Sequence, residues 1–126
     1  QNTIENANIP YAFTVGNHDV NRYDPSLTIF QKYFPIHRVS QNNPYFVESL
    51  DDMTYYYLME EHGAKLMFVG LGIPVTQDAV DWINNKLRQH SDYTAILLPH
   101  IYIKADGTID NSANTALRLW FRRSEK

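Results

Sequence analysis

The centre of the sequence combines short apolar runs, which are typical of β-strands, with one longer run that has the period of an α-helix. Residues 54–71 hold two β-rich runs separated by a turn with Gly63, which predicts a hairpin. Thr76 is placed to cap a helix over Gln77–Gln89, and Thr94–Leu98 follows as another apolar strand. The inner face of that helix would carry Val80, Ile83 and Leu87. This alternation predicts a mixed α/β layered fold.

The flanking regions carry weaker patterns. Residues 11–15 form a short β-rich run that predicts a buried strand. Asp24-Pro25 is typical of a helix start, so residues 26–34 are predicted to be helical. Residues 36–50 show little periodicity and are interpreted as a loop. Residues 113–123 are predicted to form a final helix.

Several aromatic and basic groups are interpreted as structural. The stripe Tyr55-Tyr56-Tyr57 is typical of sheet packing. His62, in the hairpin turn, and His90, at a helix end, are predicted to be exposed to solvent. A basic cluster near the end of the sequence is interpreted as a solvated helix face or tail; its members are Arg118, Arg122 and Arg123.

Length and composition limit the classes of protein to consider. With 126 residues the chain is one domain at most, or part of one. A net charge of −3 argues against a nucleic-acid-binding surface, and no apolar run approaches the length of a membrane span. The absence of cysteine excludes a disulfide framework and a thiol nucleophile, and it is compatible with the cytoplasm or a bacterial cell surface. Because the first residue is Gln rather than Met, upstream targeting information would not be visible.

The residues with the clearest chemical potential are Gly16-Asn17-His18-Asp19, called the tetrad below, directly after the predicted strand at 11–15. Gly16 would allow a sharp turn of the backbone, so that the next three side chains are displayed at the end of the strand. Asn17 offers an amide oxygen to a divalent cation, and His18 can donate or accept a proton near neutral pH. Asp19 can orient that imidazole by accepting a ring N–H.

The tetrad resembles the third signature block of the calcineurin-like metallophosphoesterases. The fourth block of that family is a lone histidine after a later strand, and His100 follows the predicted strand Thr94–Leu98 in the same order. Residues 66–72 and Asp81-Trp82 also resemble the family's connecting segments. The resemblance implies a four-layer α/β/β/α sandwich, of which this chain would be part.

The resemblance also implies a role for each matching residue. Asn17 and His100 would ligate the second ion of a two-metal centre, with Mn, Fe or Zn as the metal. His18 would contact the phosphate and protonate the leaving oxygen, and Asp19 would hold His18 in position. Residues that would shape the substrate pocket are Asn21, Arg22 and Arg38.

The other three signature blocks of the family are missing. No Asp-x-His or Gly-Asp precedes Gly16, and no Gly-His-x-His follows His100. Residues 1–126 are therefore interpreted as an internal fragment of one phosphoesterase domain. With two ligands where a stable site needs about four, the chain alone is expected to bind metal weakly or not at all and to be inactive. The complete protein is expected to hydrolyse phosphomonoesters, phosphodiesters or nucleotides.

Two other interpretations stay open from the sequence. The chain can be a non-catalytic binding or scaffolding domain that keeps the fold with a degenerate site. It can also be an unrelated α/β domain in which the tetrad is only a turn, and then Asn17 would lie far from His100. A truncated sandwich would leave sheet edges uncovered, so the fragment is expected to self-associate into a dimer or larger oligomer.

Overall fold

The computed structural model describes residues 2–20 and 29–109. Within these residues the chain forms four helices and four strands. The helices are α1 (Asn2–Asn6), α2 (Ile29–Tyr33), α3 (Ile36–Asn42) and α4 (Gln77–Gln89). The strands are β1 (Phe46–Ser49), β2 (Tyr55–Glu61), β3 (Ala64–Gly70) and β4 (Thr94–Leu98).

The strands form one mixed sheet in the order β1-β2-β3-β4, which confirms the predicted mixed α/β class. The first two pairings are antiparallel, whereas β3 and β4 are parallel and are joined through α4. Gly70 pairs with Leu98 at the carboxyl ends of β3 and β4. Because parallel strands end at the same edge of a sheet, the residues that follow β3 and β4 emerge side by side there.

One face of the sheet is covered by α4. The buried cluster between them consists of Tyr56, Met67, Val69, Leu71 and Ile83. Val80 is buried on the same helix, and Leu87 packs against the cluster while half-buried, so the predicted inner face is confirmed. The helix begins where it was predicted to begin, because the Thr76 hydroxyl accepts a hydrogen bond from the Ala79 backbone N–H at 3.2 Å.

Loss of this cap is expected to destabilise the fold measurably. Thr76→Ala removes the hydroxyl that accepts from Ala79, so the free energy of unfolding should fall by about 1 kcal/mol. Urea titration of the variant, followed by circular dichroism, measures the change. Thr76→Ser keeps the oxygen and should retain most of the stability. Equal losses in both variants would show that the methyl group, not the cap, matters at this position.

The opposite face of the sheet is built from aromatic rings. Tyr55 and Tyr57 alternate with Tyr56 along β2, so their side chains point to this face. The Tyr55 ring lies 4.9 Å from the Phe13 ring between centroids, and Phe13 contacts Phe30 of α2 at 5.1 Å. All three tyrosines are buried, which confirms that the stripe serves sheet packing. The segment that leads into the tetrad is therefore packed on this face.

Two sequence-based predictions about local structure are wrong. Residues 11–15 lie outside every strand of the described sheet, because the backbone N–H and C=O of Phe13 bond to the Tyr55 hydroxyl instead of a strand ladder. Residues 36–50 are not one loop, since they contain α3 and β1. α3 buries only Val39, and β1 is an edge strand with half of its residues exposed, so neither carries a periodic apolar pattern.

Of the remaining predictions that fall on described residues, most are confirmed and the one for His90 is wrong. The hairpin, α4 and β4 are confirmed, and Gly63 adopts φ +83° in the hairpin turn. His62 is exposed as predicted, whereas His90 is half-buried with ring contacts to two tyrosines, so its predicted exposure is wrong. The start of the helix predicted at 26–34, the helix predicted at 113–123 and the basic cluster lie outside the described residues. No helix in the described ranges is long and apolar enough to cross a membrane.

Candidate functional site

The tetrad forms a closed turn. The Asp19 backbone N–H donates to the Gly16 carbonyl at 3.0 Å, and the Gly16 N–H donates to Asp19 Oδ2 at 2.9 Å. The first bond spans four residues, as in a β-turn, and the second ties the carboxylate back to the start of the turn. Asn17 and His18 occupy the tip and are both exposed. The turn thus presents an amide and an imidazole side by side.

Gly16 is needed at this position for space rather than for backbone freedom. Gly16 does not adopt the left-handed conformation, since the described glycines with positive φ are Gly63 and Gly107. A Cβ atom on Gly16 would lie 3.1 Å from Asp19 Oδ2 and 3.2 Å from Cε1 of His100. Both distances are shorter than ordinary van der Waals contact. The glycine therefore allows the His100 ring to approach the turn closely.

His100 meets the tetrad across a long interval of sequence. It follows β4 by one intervening residue, Pro99, at the carboxyl edge of the sheet. Its Nε2 lies 3.0 Å from Asn17 Oδ1, although the two residues are 83 positions apart. Because an amide oxygen only accepts, this hydrogen bond requires the His100 proton on Nε2. Asn17 and His100 therefore lie close together, as the resemblance led us to expect, and not far apart.

The spacing of the two polar atoms fits shared coordination of one cation. In octahedral coordination, neighbouring ligand atoms at about 2.1 Å from the ion are about 3.0 Å apart, which matches the distance between Asn17 Oδ1 and His100 Nε2. The donor set, one amide oxygen and one imidazole nitrogen, suits borderline divalent ions. A metal would require the His100 proton to move from Nε2 to Nδ1. In residues 2–20 and 29–109, no group of three or more His, Asp or Glu side chains is arranged to hold a metal.

His18 and Asp19 are consecutive in sequence, but their side chains form no hydrogen bond with each other. The Asp19 carboxylate accepts from the Gly16 amide, and no hydrogen bond joins the His18 ring to any side chain in the described parts of the chain. The structure therefore shows Asp19 as the residue that closes the turn. Its role in orienting His18 stays a prediction, as does the role of His18 as an acid.

Arg38 forms an ion pair with Glu5 of α1. Its Nη2 lies 2.6 Å from Glu5 Oε2, and its Nε donates to both carboxylate oxygens at 3.1 and 3.2 Å. The hydrogen bonds from Arg38 hold the pKa of Glu5 below its usual value. Tyr11 adds a further bond to the same carboxylate at 2.9 Å. The guanidinium thus ties α3 to α1, and contact between Arg38 and a substrate stays a prediction.

Asn21 and Arg22, the other two predicted pocket residues, lie outside the described residues. Sequence reasoning missed a different residue near the tetrad. The Tyr55 hydroxyl contacts the backbone of Phe13, three positions before Gly16. The available signal was Gly70, because a glycine inside an apolar strand often marks a site where another group approaches the backbone closely.

Comparison with known proteins yields one relative. No protein-family model matches the chain, and no solved structure matches it. The uncharacterised protein YvnB of Bacillus subtilis (strain 168) is 31% identical over 104 residues. The aligned region covers 82% of this chain and 8% of YvnB, so the chain corresponds to a small part of that protein's length.

Proposed function

We propose that this chain is part of a metal-dependent phosphoesterase domain of the calcineurin-like type. The observation that carries the proposal is the 3.0 Å distance between Asn17 Oδ1 and His100 Nε2. Two atoms from opposite ends of the described chain are brought to the spacing of neighbouring ligands on one ion. The order of tetrad, strand and lone histidine supports the same assignment.

In this proposal Asn17 and His100 hold one side of a divalent cation, with Mn, Fe or Zn as the metal. The other ligands, including those of a second ion, come from residues outside this sequence. A bound metal pair would polarise the phosphoryl oxygens and lower the pKa of a bound water. Asn17 contributes a neutral oxygen, and His100 contributes Nε2 once its proton resides on Nδ1. Gly16 keeps the space in which the His100 ring lies.

His18 acts as the proton donor in the proposed reaction. It is exposed at the tip of the turn, adjacent in sequence to Asn17, so it faces the solvent from which a substrate arrives. A protonated imidazole can bind a phosphoryl oxygen and transfer its proton to the leaving oxygen. Asp19 fixes the turn through its bond to the Gly16 amide, and this keeps His18 at the tip. The substrate class is a phosphomonoester, a phosphodiester or a nucleotide.

The proposed fold is part of a four-layer sandwich. Residues on the aromatic face of β4 and β3 support it, because Phe68, Ile96 and Leu98 are only half-buried there. A second sheet on this face would cover them and would pair with the segment at residues 11–15. In the absence of such a sheet, the edge strands β1 and β4 offer sites for self-association.

A non-catalytic domain is the second candidate, and one observation favours it. Asn17 Oδ1 and His100 Nε2 form a hydrogen bond with each other, so the polar atoms of this pair are satisfied by protein groups alone. A scaffolding domain that had lost catalysis would be stable in this form.

Hydrolysis by the complete protein separates the two candidates. With a chromogenic aryl phosphate and a bis-aryl phosphodiester as substrates, turnover should disappear after treatment with a chelator and return when Mn²⁺ is added. Activity that survives complete removal of metal would contradict the proposal. A folded protein with no turnover in the presence of Mn²⁺, Fe²⁺ or Zn²⁺ would favour the non-catalytic candidate.

A further inference from the structure

One buried hydroxyl group bonds to both backbone polar groups of Phe13, in the segment that leads into the tetrad. Tyr55 Oη donates to the Phe13 carbonyl at 2.7 Å and accepts from the Phe13 N–H at 2.8 Å. The tyrosine is fully buried, with a relative exposure of 0%. Since residues 11–15 pair with no strand of the described sheet, this hydroxyl takes the place that a neighbouring strand would occupy.

The position of the hydroxyl depends on a glycine in the next strand. Tyr55 pairs with Gly70 across β2 and β3. A Cβ atom on Gly70 would lie only 2.3 Å from Cε1 of Tyr55, so the ring rests directly on the glycine. Any larger residue at this position must displace the ring, and the hydroxyl moves with it.

The same glycine also pairs with the strand that leads to His100. Gly70 pairs with Leu98 on its other side, and His100 follows Leu98 by two positions. On the Tyr55 side, Phe13 precedes Gly16 by three positions. A weaker bond reinforces the link, since Thr14 Oγ1 donates to the Leu71 carbonyl at 3.4 Å. The segments that carry Asn17 and His100 are thus both connected to Gly70 at the end of β3, one through Tyr55 and the other through Leu98.

We propose that Tyr55 is a positioning residue that, together with Gly70, sets the separation between Asn17 and His100. The inference rests on the proposed function in so far as that pair is a metal-binding pair. Tyr55 makes no hydrogen bond to either side chain; it acts through the backbone of residues 13–16. Burial raises the pKa of Tyr55, so the hydroxyl stays protonated at neutral pH and can both donate and accept.

Tyr55→Phe tests the proposal, with Tyr57→Phe as a matched control. Tyr57 lies on the same strand and face and is also buried, but its hydroxyl bonds to nothing in the described residues. The readouts are metal-free NMR spectra of the 126-residue chain. In Tyr55→Phe, amide exchange at Phe13 should accelerate by about 10- to 100-fold. The nuclear Overhauser effect between His100 Hε1 and the Gly16 α-protons should be lost. Tyr57→Phe should change neither readout.

A second variant moves the hydroxyl without removing it. Gly70→Ala places a methyl group against the Tyr55 ring and should also abolish the His100–Gly16 Overhauser effect. Retention of that effect in Tyr55→Phe would overturn the proposal. Equal acceleration of exchange at Phe13 and at Val69, in the centre of the sheet, would also overturn it, because the hydroxyl would then support stability in general. Since no metal is present, failure of the phosphoesterase assignment would leave this comparison intact.

Discussion

Replacement of His18 by alanine in the complete protein is expected to lower kcat for phosphoester hydrolysis by about 10²–10⁴-fold. His18 is exposed at the tip of the tetrad turn, and Gly16 and Asp19 close that turn by two hydrogen bonds. The imidazole is therefore available to a substrate phosphate without a change in the backbone. Its loss would remove the group that we propose protonates the leaving oxygen.

The dependence on the leaving group makes this prediction specific. An aryl phosphate with an acidic leaving group needs little protonation, so the loss of kcat in His18→Ala should be small for it and large for an alkyl phosphate. His62→Ala serves as the control, because His62 is an exposed histidine in the β2–β3 turn and should leave kcat unchanged. A uniform loss across leaving groups would show that His18 binds the substrate without donating a proton.

Replacement of His100 by alanine is expected to raise the Mn²⁺ concentration that the same reaction needs. His100 Nε2 and Asn17 Oδ1 are the two candidate ligand atoms in the described chain, and they lie 3.0 Å apart. Removal of a direct ligand should reduce the apparent affinity for Mn²⁺ by more than the about 10- to 100-fold seen when a residue only supports a ligand. The Mn²⁺ concentration that gives half-maximal turnover measures the effect.

The matched control for His100→Ala is His90→Ala. His90 is half-buried in contact with the rings of Tyr56 and Tyr93, on the helix-covered side of the molecule. Replacement of His90 should change the free energy of unfolding. It should leave the Mn²⁺ concentration for half-maximal turnover unchanged. An unaltered Mn²⁺ dependence in His100→Ala would remove His100 from the proposed metal site.

The parts of the fold that could be predicted are those with strong local patterns. α4 carries a regular apolar face and a threonine cap, and β2 and β3 are long apolar runs around a glycine turn. α3 and β1 could not be predicted, because their formation depends on packing and pairing with residues elsewhere in the chain. Val39 is the one buried residue of α3, and β1 is defined by its register with β2.

The candidate site shows the same division. The tetrad could be identified as a motif, and the family resemblance identified His100 as the matching residue later in the sequence. The need for a glycine at position 16 could not be predicted, because it depends on contact with His100, which follows β4. The hydroxyl of Tyr55 was equally hidden, because its bonds to Phe13 span 42 positions. Local sequence thus indicates which groups carry chemistry, and long-range packing decides how they are held.

A titration of the isotopically labelled 126-residue chain with Mn²⁺, followed by NMR line broadening, tests the central claim most directly. Even weak binding of this paramagnetic ion broadens nearby signals. The account predicts that the Asn17 side-chain amide and the His100 ring broaden together, at lower Mn²⁺ concentration than the exposed His62 ring, and that Asn17→Ala abolishes the preference. Broadening of His62 and His100 at the same Mn²⁺ concentration, unchanged in Asn17→Ala, would contradict it.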